Sequence, residues 1–262
     1  MIDLTGGNGT TFLIVIIVLT IAIFLRYVLL AGIFYYLFNV RGYWPDRRLS
    51  FKSIKKNQIK REVGFSLISS FIFALLGTWL YWRWQTGGIV YDVDFSLADF
   101  FWIILGLVMI LILHETYYYW LHRWMHRPEI YKFVHKAHHE SLTTTAWTSF
   151  SFHPIESFLQ GLPIFVMFYY IPFHVFSLVL ALIIMAVTSV INHLNTEMYS
   201  KQMARHWLAR WWIGATHHHL HHHQFKYNYG LYFTFWDHWM KTESPDYQKL
   251  LGEKTKSGNT CT

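Results

Sequence analysis

The stretch FLIVIIVLTIAIFLRYVLLAGIFYYLF, residues 12–38, holds a single charge, Arg26, in 27 residues. As a helix it is about 40 Å long against about 30 Å of bilayer hydrocarbon, so it reads as a membrane span. No basic stretch precedes it and no small-residue cleavage site follows, which points to a retained helix and not a signal peptide. Arg26 reads as a snorkelling or helix-paired arginine. Further apolar runs cover 63–84, 97–121 and 158–191. The run at 63–84 ends in Trp79, Tyr81, Trp82 and Trp84, the aromatic signature of a membrane interface. The run at 158–191 has 34 residues and is interrupted by Pro163 and Pro172. It reads as a hairpin whose first arm, about 14 residues, is short for a full crossing and partly re-entrant.

Composition agrees with these runs. The 262 residues are 53% hydrophobic and 20% aromatic, and only 14% are charged, well below the about 25% of soluble domains. That excludes a disordered chain and a coiled coil. The lone cysteine, Cys261, excludes a disulfide scaffold, and its place one residue before the end does not fit a prenylation box. Twenty of the 22 lysines and arginines fall in residues 41–61, 122–157 and 193–262, while loop 85–96 has none and carries Asp92 and Asp94. By the positive-inside rule the three basic segments are cytoplasmic. The net charge of +7 is then a topology signal, and nucleic acid is not an expected partner. The fold expected is an all-α integral membrane protein, with about four transmembrane helices and a cytoplasmic histidine-rich helical cap.

Seventeen histidines are the second departure from ordinary composition. His122 and His126 stand at i, i+4; His135, His138 and His139 at i, i+3, i+4; and His218, His221 and His222 repeat that spacing. Such spacings share a helix face and can present ring nitrogens to one ion. All three clusters lie in segments that charge alone assigns to one membrane side. Eight histidines exceed the four ligands of one tetrahedral zinc but fit two metals, and no cysteine accompanies them as an iron–sulfur site would require. His174, His206 and His238 read as hydrogen-bonded or solvent-facing.

The stretches HETYYYWLHRWMHRPEIYKFVHKAHHES (114–141), SFHPIESFLQGLP (151–163), INHLNTEMY (191–199) and THHHLHHHQFKYNYGLYFTFWDHWMKT (216–242) together resemble the sterol desaturase and fatty acid hydroxylase superfamily. The second and fourth of these stretches look most like the sterol C-5 desaturase branch and its short bacterial relatives. The resemblance implies metal ligands at His122, His126, His135, His138, His139, His218, His221 and His222, with His193 as the isolated ligand and His217 as a further candidate. His114 and His153 are weaker candidates. Glu115, Glu156, Glu197 and Asp237 are expected to accept hydrogen bonds from ligand imidazoles. Asn228, Tyr229 and Gly230 match the family's turn, and Lys241 stands where relatives often have glycine.

The implied chemistry is a di-iron centre: two Fe2+ ions activate O2 to remove hydrogen from an unactivated lipid carbon, giving an alkene or an alcohol. Zinc can displace iron in an all-imidazole site. The lipid is expected to enter from the bilayer past Tyr117, Tyr118, Tyr119, Trp120, Trp147, Phe150 and Phe152. The chain carries no dinucleotide, haem or iron–sulfur motif, so an external donor is expected, cytochrome b5 or a ferredoxin with its reductase. The domains expected are membrane helices over 1–113, a catalytic region over 114–242 and a polar tail over 243–262. The membrane expected is a bacterial inner membrane or the endoplasmic reticulum. A fatty acyl, sphingolipid or carotenoid hydroxylase is the alternative within the same chemistry. A histidine-rich metal transporter or sensor would instead place ligands along a transmembrane path, and a membrane cytochrome would place single histidines near mid-membrane.

Overall fold

The computed structural model describes residues 9–89, 97–200, 203, 206, 207, 209–247 and 249. Asp92, Asp94, Cys261 and most of the expected polar tail lie outside the described residues. The rest is helical, with isolated antiparallel bridges at Arg48–Thr196 and Trp212–Phe233. The long helices are α1 (Gly9–Tyr35, continued by a π-helical turn to Val40), α2 (Gln58–Gln85) and α3 (Leu97–Met125). Short helices α4 (Pro128–Val134) and α5 (Lys136–His139) precede a 3-10 turn at Ala146–Phe150. Helices α6 (Pro154–Tyr170) and α7 (Val175–Asn192) form a hairpin, and α8 (Ala215–Gln224) and α9 (Phe235–Trp239) follow.

Among the described residues, four helices are long and apolar enough to cross a membrane: Gly9–Val40, Gln58–Gln85, Asp99–Met125 and Val175–Asn192. The protein is an integral membrane protein. Apolar side chains such as Leu13, Val18, Leu29, Phe101 and Trp102 face outward, as lipid-facing positions must. Helix contacts inside the bundle use small residues that let backbones approach. Ser69 Oγ meets Ser157 Oγ at 2.8 Å, and a Cβ at Gly161 would come within 2.6 Å of Leu76 on α2. Ser177 Oγ on α7 donates to the Ile103 carbonyl on α3 at 2.9 Å. Buried Ser66, Ser70 and Thr78 donate to the carbonyl four residues earlier, so α2 carries hydroxyls without leaving them unpaired.

The hairpin departs from expectation in one respect. Pro172 does end the first arm, but Pro163 lies inside α6, which starts at Pro154 and reaches Tyr170. A proline leaves the carbonyl four residues earlier without its helical donor. That carbonyl, Leu159, accepts a hydrogen bond from Tyr117 Oη on α3 at 3.0 Å, so the helix continues. Helix α6 runs parallel to α2: Ser157 meets Ser69 at one end, and Met167 and Phe168 pack with Leu80 towards the other. Arg26 is paired across helices, its Nη1 donating to the Leu182 carbonyl on α7 at 3.4 Å.

The C-terminal ends of α1, α3 and α7 and the N-terminal ends of α2 and α6 meet at one end of the bundle. The histidine boxes and the basic segments gather there. Buried Glu62 ties this end to the cap. Its Oε1 accepts from Gln58 Nε2 and from Thr148 Oγ1, each at 2.9 Å, linking α2 to the 3-10 turn.

Candidate metal centre

Nine histidines converge in two groups. His122, His126, His135, His139 and His221 form the first, and His138, His193, His218 and His222 form the second. Within each group the candidate ligand atoms lie within 4.8 Å of one another. Closest approaches are Nε2 to Nε2: His122–His135 and His139–His221 at 3.1 Å, His138–His193 at 3.2 Å, His193–His218 at 3.0 Å and His218–His222 at 3.1 Å. Two nitrogens each about 2.1 Å from a common ion, at right angles, stand about 3 Å apart.

The boxes divide by a simple rule. Each i, i+4 pair (His122/His126, His135/His139, His218/His222) stays within one group, and the i+3 residue, His138 or His221, crosses to the other. Neighbours on a helix point about 100° apart, so a helix aimed between two sites sends adjacent histidines to different ones. The expectation that each box acts as one face therefore needs correction. For the middle box there is a second reason: α4 ends at His135 and α5 starts anew at Lys136.

Hydrogen bonds fix which nitrogen faces inward. A carbonyl can only accept, so an imidazole bonded to one does so through Nδ1–H and keeps its lone pair on Nε2. His122 donates to the Tyr229 carbonyl at 2.8 Å, His221 to Tyr227 at 2.7 Å, His193 to Ser189 at 2.7 Å and His138 to Ser151 at 3.2 Å. His135 Nδ1 meets the Glu156 carboxyl at 2.7 Å. Buried His126 Nε2 has no hydrogen-bond partner. Burial and the surrounding imidazoles hold His135, His138, His139, His218, His221 and His222 well below the ordinary histidine range. Burial likewise lowers His126 to about 2 and His193 to about 4. The rings are neutral at physiological pH, the state that ligates metal.

His217 falls outside both groups, 100° round α8 from His218, with Nε2 3.7 Å from Asp237 Oδ2. Burial pushes Asp237 up to about 7 and His217 down to about 3, so the two are not held as opposite charges. His114 and His153 are also outside. His114 Nδ1 meets Tyr232 Oη at 3.1 Å, and His153 caps α6, accepting from the Ile155 N–H at 3.4 Å. His174 caps α7 in the same way.

Of the four carboxylates expected to steady imidazoles, Glu156 alone meets a ring nitrogen within hydrogen-bond distance. The other three hold backbone. Glu115 accepts from the N–H groups of Leu231 and Tyr232 at 3.0 and 2.7 Å, and Asp237 from those of Tyr229 and Gly230 at 2.9 and 2.8 Å. Glu197 caps α8 through the Thr216 N–H at 2.8 Å. The turn at 228–230 is thereby pinned from both sides, which sets the Tyr229 carbonyl against His122. Asn228 adopts φ +62°, and its amide bridges the His217 carbonyl and the Ser244 N–H. Lys241 adopts φ +54°, the conformation that glycine takes without strain.

The expected aromatic pocket divides. Phe152 packs 5.2 Å from His138 and continues through Phe150 to Tyr27 on α1, while Trp147 contacts Tyr27 and Tyr35. Tyr118 packs on His122 at 5.2 Å. Tyr117 and Tyr119 are structural, bonding Leu159 and Thr242, and Trp120 is exposed. The features missed by the sequence reading are Glu62 and the four carbonyls, of Ser151, Ser189, Tyr227 and Tyr229, that accept from ligand imidazoles. The i, i+4 polar stripe Gln58, Glu62, Ser66, Ser70 was a legible sign of the first; backbone carbonyls leave none.

The model of the family described as "Fatty acid hydroxylase" matches residues 107–242, just over half the chain, and covers all nine converging histidines. The chain belongs to the fatty acid hydroxylase family. Similar curated members include a Delta(7)-sterol 5(6)-desaturase of Gibberella zeae, 30% identical over 84% of this chain and 65% of its own length. Lathosterol oxidases of Homo sapiens and Rattus norvegicus are 29% and 31% identical over 70% of this chain and 60% of their own. The chain thus spans under two thirds of the length of these family members. No solved structure matches. Family membership and the inward-facing imidazoles together identify a metal site, and iron is the metal that they suggest.

Proposed function

We propose that the chain is a membrane-bound, O2-dependent oxidoreductase that desaturates or hydroxylates a C–H bond of a lipid, with sterols the favoured substrate class. The observation that carries this is the convergence of nine histidines into two groups at one end of an apolar helix bundle. The donor set fits two iron ions, one per group, and zinc where iron is displaced. His217 is left off the ligand set. Bound iron would supply the activation of O2, with two electrons from an external donor, cytochrome b5 or a ferredoxin with its reductase. The basic segments favour a cytoplasmic orientation for this end of the bundle, and the membrane proposed is a bacterial inner membrane or the endoplasmic reticulum.

The chain's own residues do the positioning. Carbonyls of Ser151, Ser189, Tyr227 and Tyr229 hold four ligand rings by Nδ1–H, and Glu156 holds His135. This preorganises the lone pairs and raises the basicity of each ring. Eight of the nine rings are buried, which keeps bulk water from the reacting carbon. The aromatic path Tyr27, Phe150, Phe152 leads from the α1 side of the bundle to His138. A lipid that follows it exchanges hydrocarbon for aromatic surroundings without crossing water.

The sterol reading is supported by the names of the relatives, Delta(7)-sterol 5(6)-desaturase and lathosterol oxidase. A fatty acyl, sphingolipid or carotenoid hydroxylase is the second reading, favoured by the description of the family model. The test is mass spectrometry of total lipids from cells expressing the wild type or His139→Ala under labelled O2. A wild-type product two hydrogens lighter establishes desaturation, and one with labelled oxygen establishes hydroxylation. A purified protein without metal, together with unchanged lipids, would refute both.

A further inference from the structure

The two histidine groups have different surroundings. Aromatic contacts of the second group lead into the bundle through Phe152. Those of the first lead two ways, inward through buried Tyr118 on His122 and outward through Phe225 and Tyr131 to the surface of the cap. Half-buried Phe225, at the end of α8, lies 5.0 Å from His139 and 6.4 Å from His126. Half-buried Tyr131 on α4 lies 5.9 Å from Phe225, 5.7 Å from His126 and 5.8 Å from His139. His126 is itself the one member of the two groups that is only partly buried. Two rings therefore bridge the first group and the aqueous phase.

Charge around those rings is of one dominant sign. Arg127, Lys132 and Lys136 on α4 and α5 are exposed, as is Lys226 beside Phe225. Opposing them nearby are Glu129 and Asp246; Glu140 is taken up by Arg61. The ammonium of Lys132 lies 4.8 Å over the ring of Phe133, which is 64% exposed, so the patch also offers an apolar contact. An apolar centre with a basic rim suits a brief encounter with an acidic protein surface.

We propose that Phe225 and Tyr131, rimmed by Arg127, Lys132, Lys136 and Lys226, form the docking surface for an acidic one-electron carrier protein, whose electrons enter through the first histidine group. The proposal rests on the redox function proposed above. Each encounter oxidises one carrier by one electron and reduces the metal centre by one. Two encounters supply the pair of electrons that, with two protons, accompanies the reduction of O2. The lipid approaches from the opposite side, past Phe152, so carrier and substrate do not compete for space.

The test uses the full iron-loaded chain in detergent and reduced cytochrome b5 as the acidic probe, with haem oxidation followed by stopped flow. At low ionic strength, the second-order rate of Lys132→Glu/Lys226→Glu is expected to fall at least about tenfold below wild type. A control with the same charge change on the same end of the bundle, Lys55→Glu/Lys56→Glu, is expected to stay within about threefold. At about 1 M salt, where the Debye length shrinks to about 3 Å, wild type and patch variant converge. Reduction by dithionite, which needs no docking, stays equal in all three. Equal losses in patch and control variants would overturn the docking site, as would a wild-type rate indifferent to salt. A wild type reduced by dithionite but not by cytochrome b5 would overturn the acidic-carrier assignment. A chain that binds iron but gives no lipid product even with dithionite would refute the underlying redox reading instead.

Discussion

The five-histidine and four-histidine groups are built from the same boxes yet sit in different surroundings. The first is held by a carboxyl (Glu156) and two carbonyls from the turn after α8, and it has one partly exposed member, His126. The second is buried throughout, is held by carbonyls of the 3-10 turn and α7, and touches the aromatic path into the bundle. The difference teaches that two sites with nearly identical donors can be specialised by what lies behind the donors. In the reading proposed above, one group exchanges with the aqueous side and the other faces lipid.

The largest effect expected is loss of activity, more than about a hundredfold, in either His139→Ala or His222→Ala, with the protein still in the membrane. Metal analysis then tests the division: each variant should lose about half the bound metal, the first from the five-histidine group and the second from the four. Loss of all metal from either one would show a single cooperative site and break the comparison.

Acid is expected to act next. The unfolded histidines take up protons near 6.5, whereas folded His193 does so near 4 and His126 near 2. Their folded values are lowered, so stability is complete above about 6.5 and declines as pH falls, by about 1.4 kcal/mol per unit for each such ring. Thermal melts of the detergent-solubilised protein between about pH 7.5 and about pH 5 should show a steep fall in Tm. Metal release should begin in the first group, where His126 is reached by solvent; release from the second group first would reverse the assignment of the exposed side.

Glu156→Gln sharpens the comparison further. It removes the carboxyl behind His135 and is expected to weaken metal binding in the first group by about 10- to 100-fold, leaving the second unchanged. Smallest of all, Lys241→Gly touches neither group. It relieves a left-handed backbone and should raise stability by about 1 kcal/mol, read as a higher melting temperature with activity unaltered.

Much of this was legible in the chain. Spans, histidine spacing and the turn at 228–230 carry their meaning in residue type and period, so four helices long and apolar enough to span lie where the pattern suggested, and nine of the ten histidines named as ligand candidates converge. The division of the boxes was not legible, because it depends on where α5 restarts and on how α8 is aimed, and both are set by tertiary packing. Pro163 misled for a related reason: the carbonyl it strands, that of Leu159, is satisfied by Tyr117, 42 residues earlier in the chain and on another helix. The carboxylates misled because Glu115, Glu197 and Asp237 can reach either a ring nitrogen or a backbone N–H, and composition does not choose between them.

Helices α6 and α7, with 17 and 18 residues, measure about 25 and 27 Å, less than the about 30 Å of an average hydrocarbon core. Lipids beside that hairpin must shorten or disorder to meet its ends, while α1, which packs against α7, has length to spare. Such hydrophobic mismatch would make bilayer thickness a control on the proposed activity. Reconstitution into lipids of graded acyl length should favour thin membranes, and the same preference would sort the protein among membranes of different thickness.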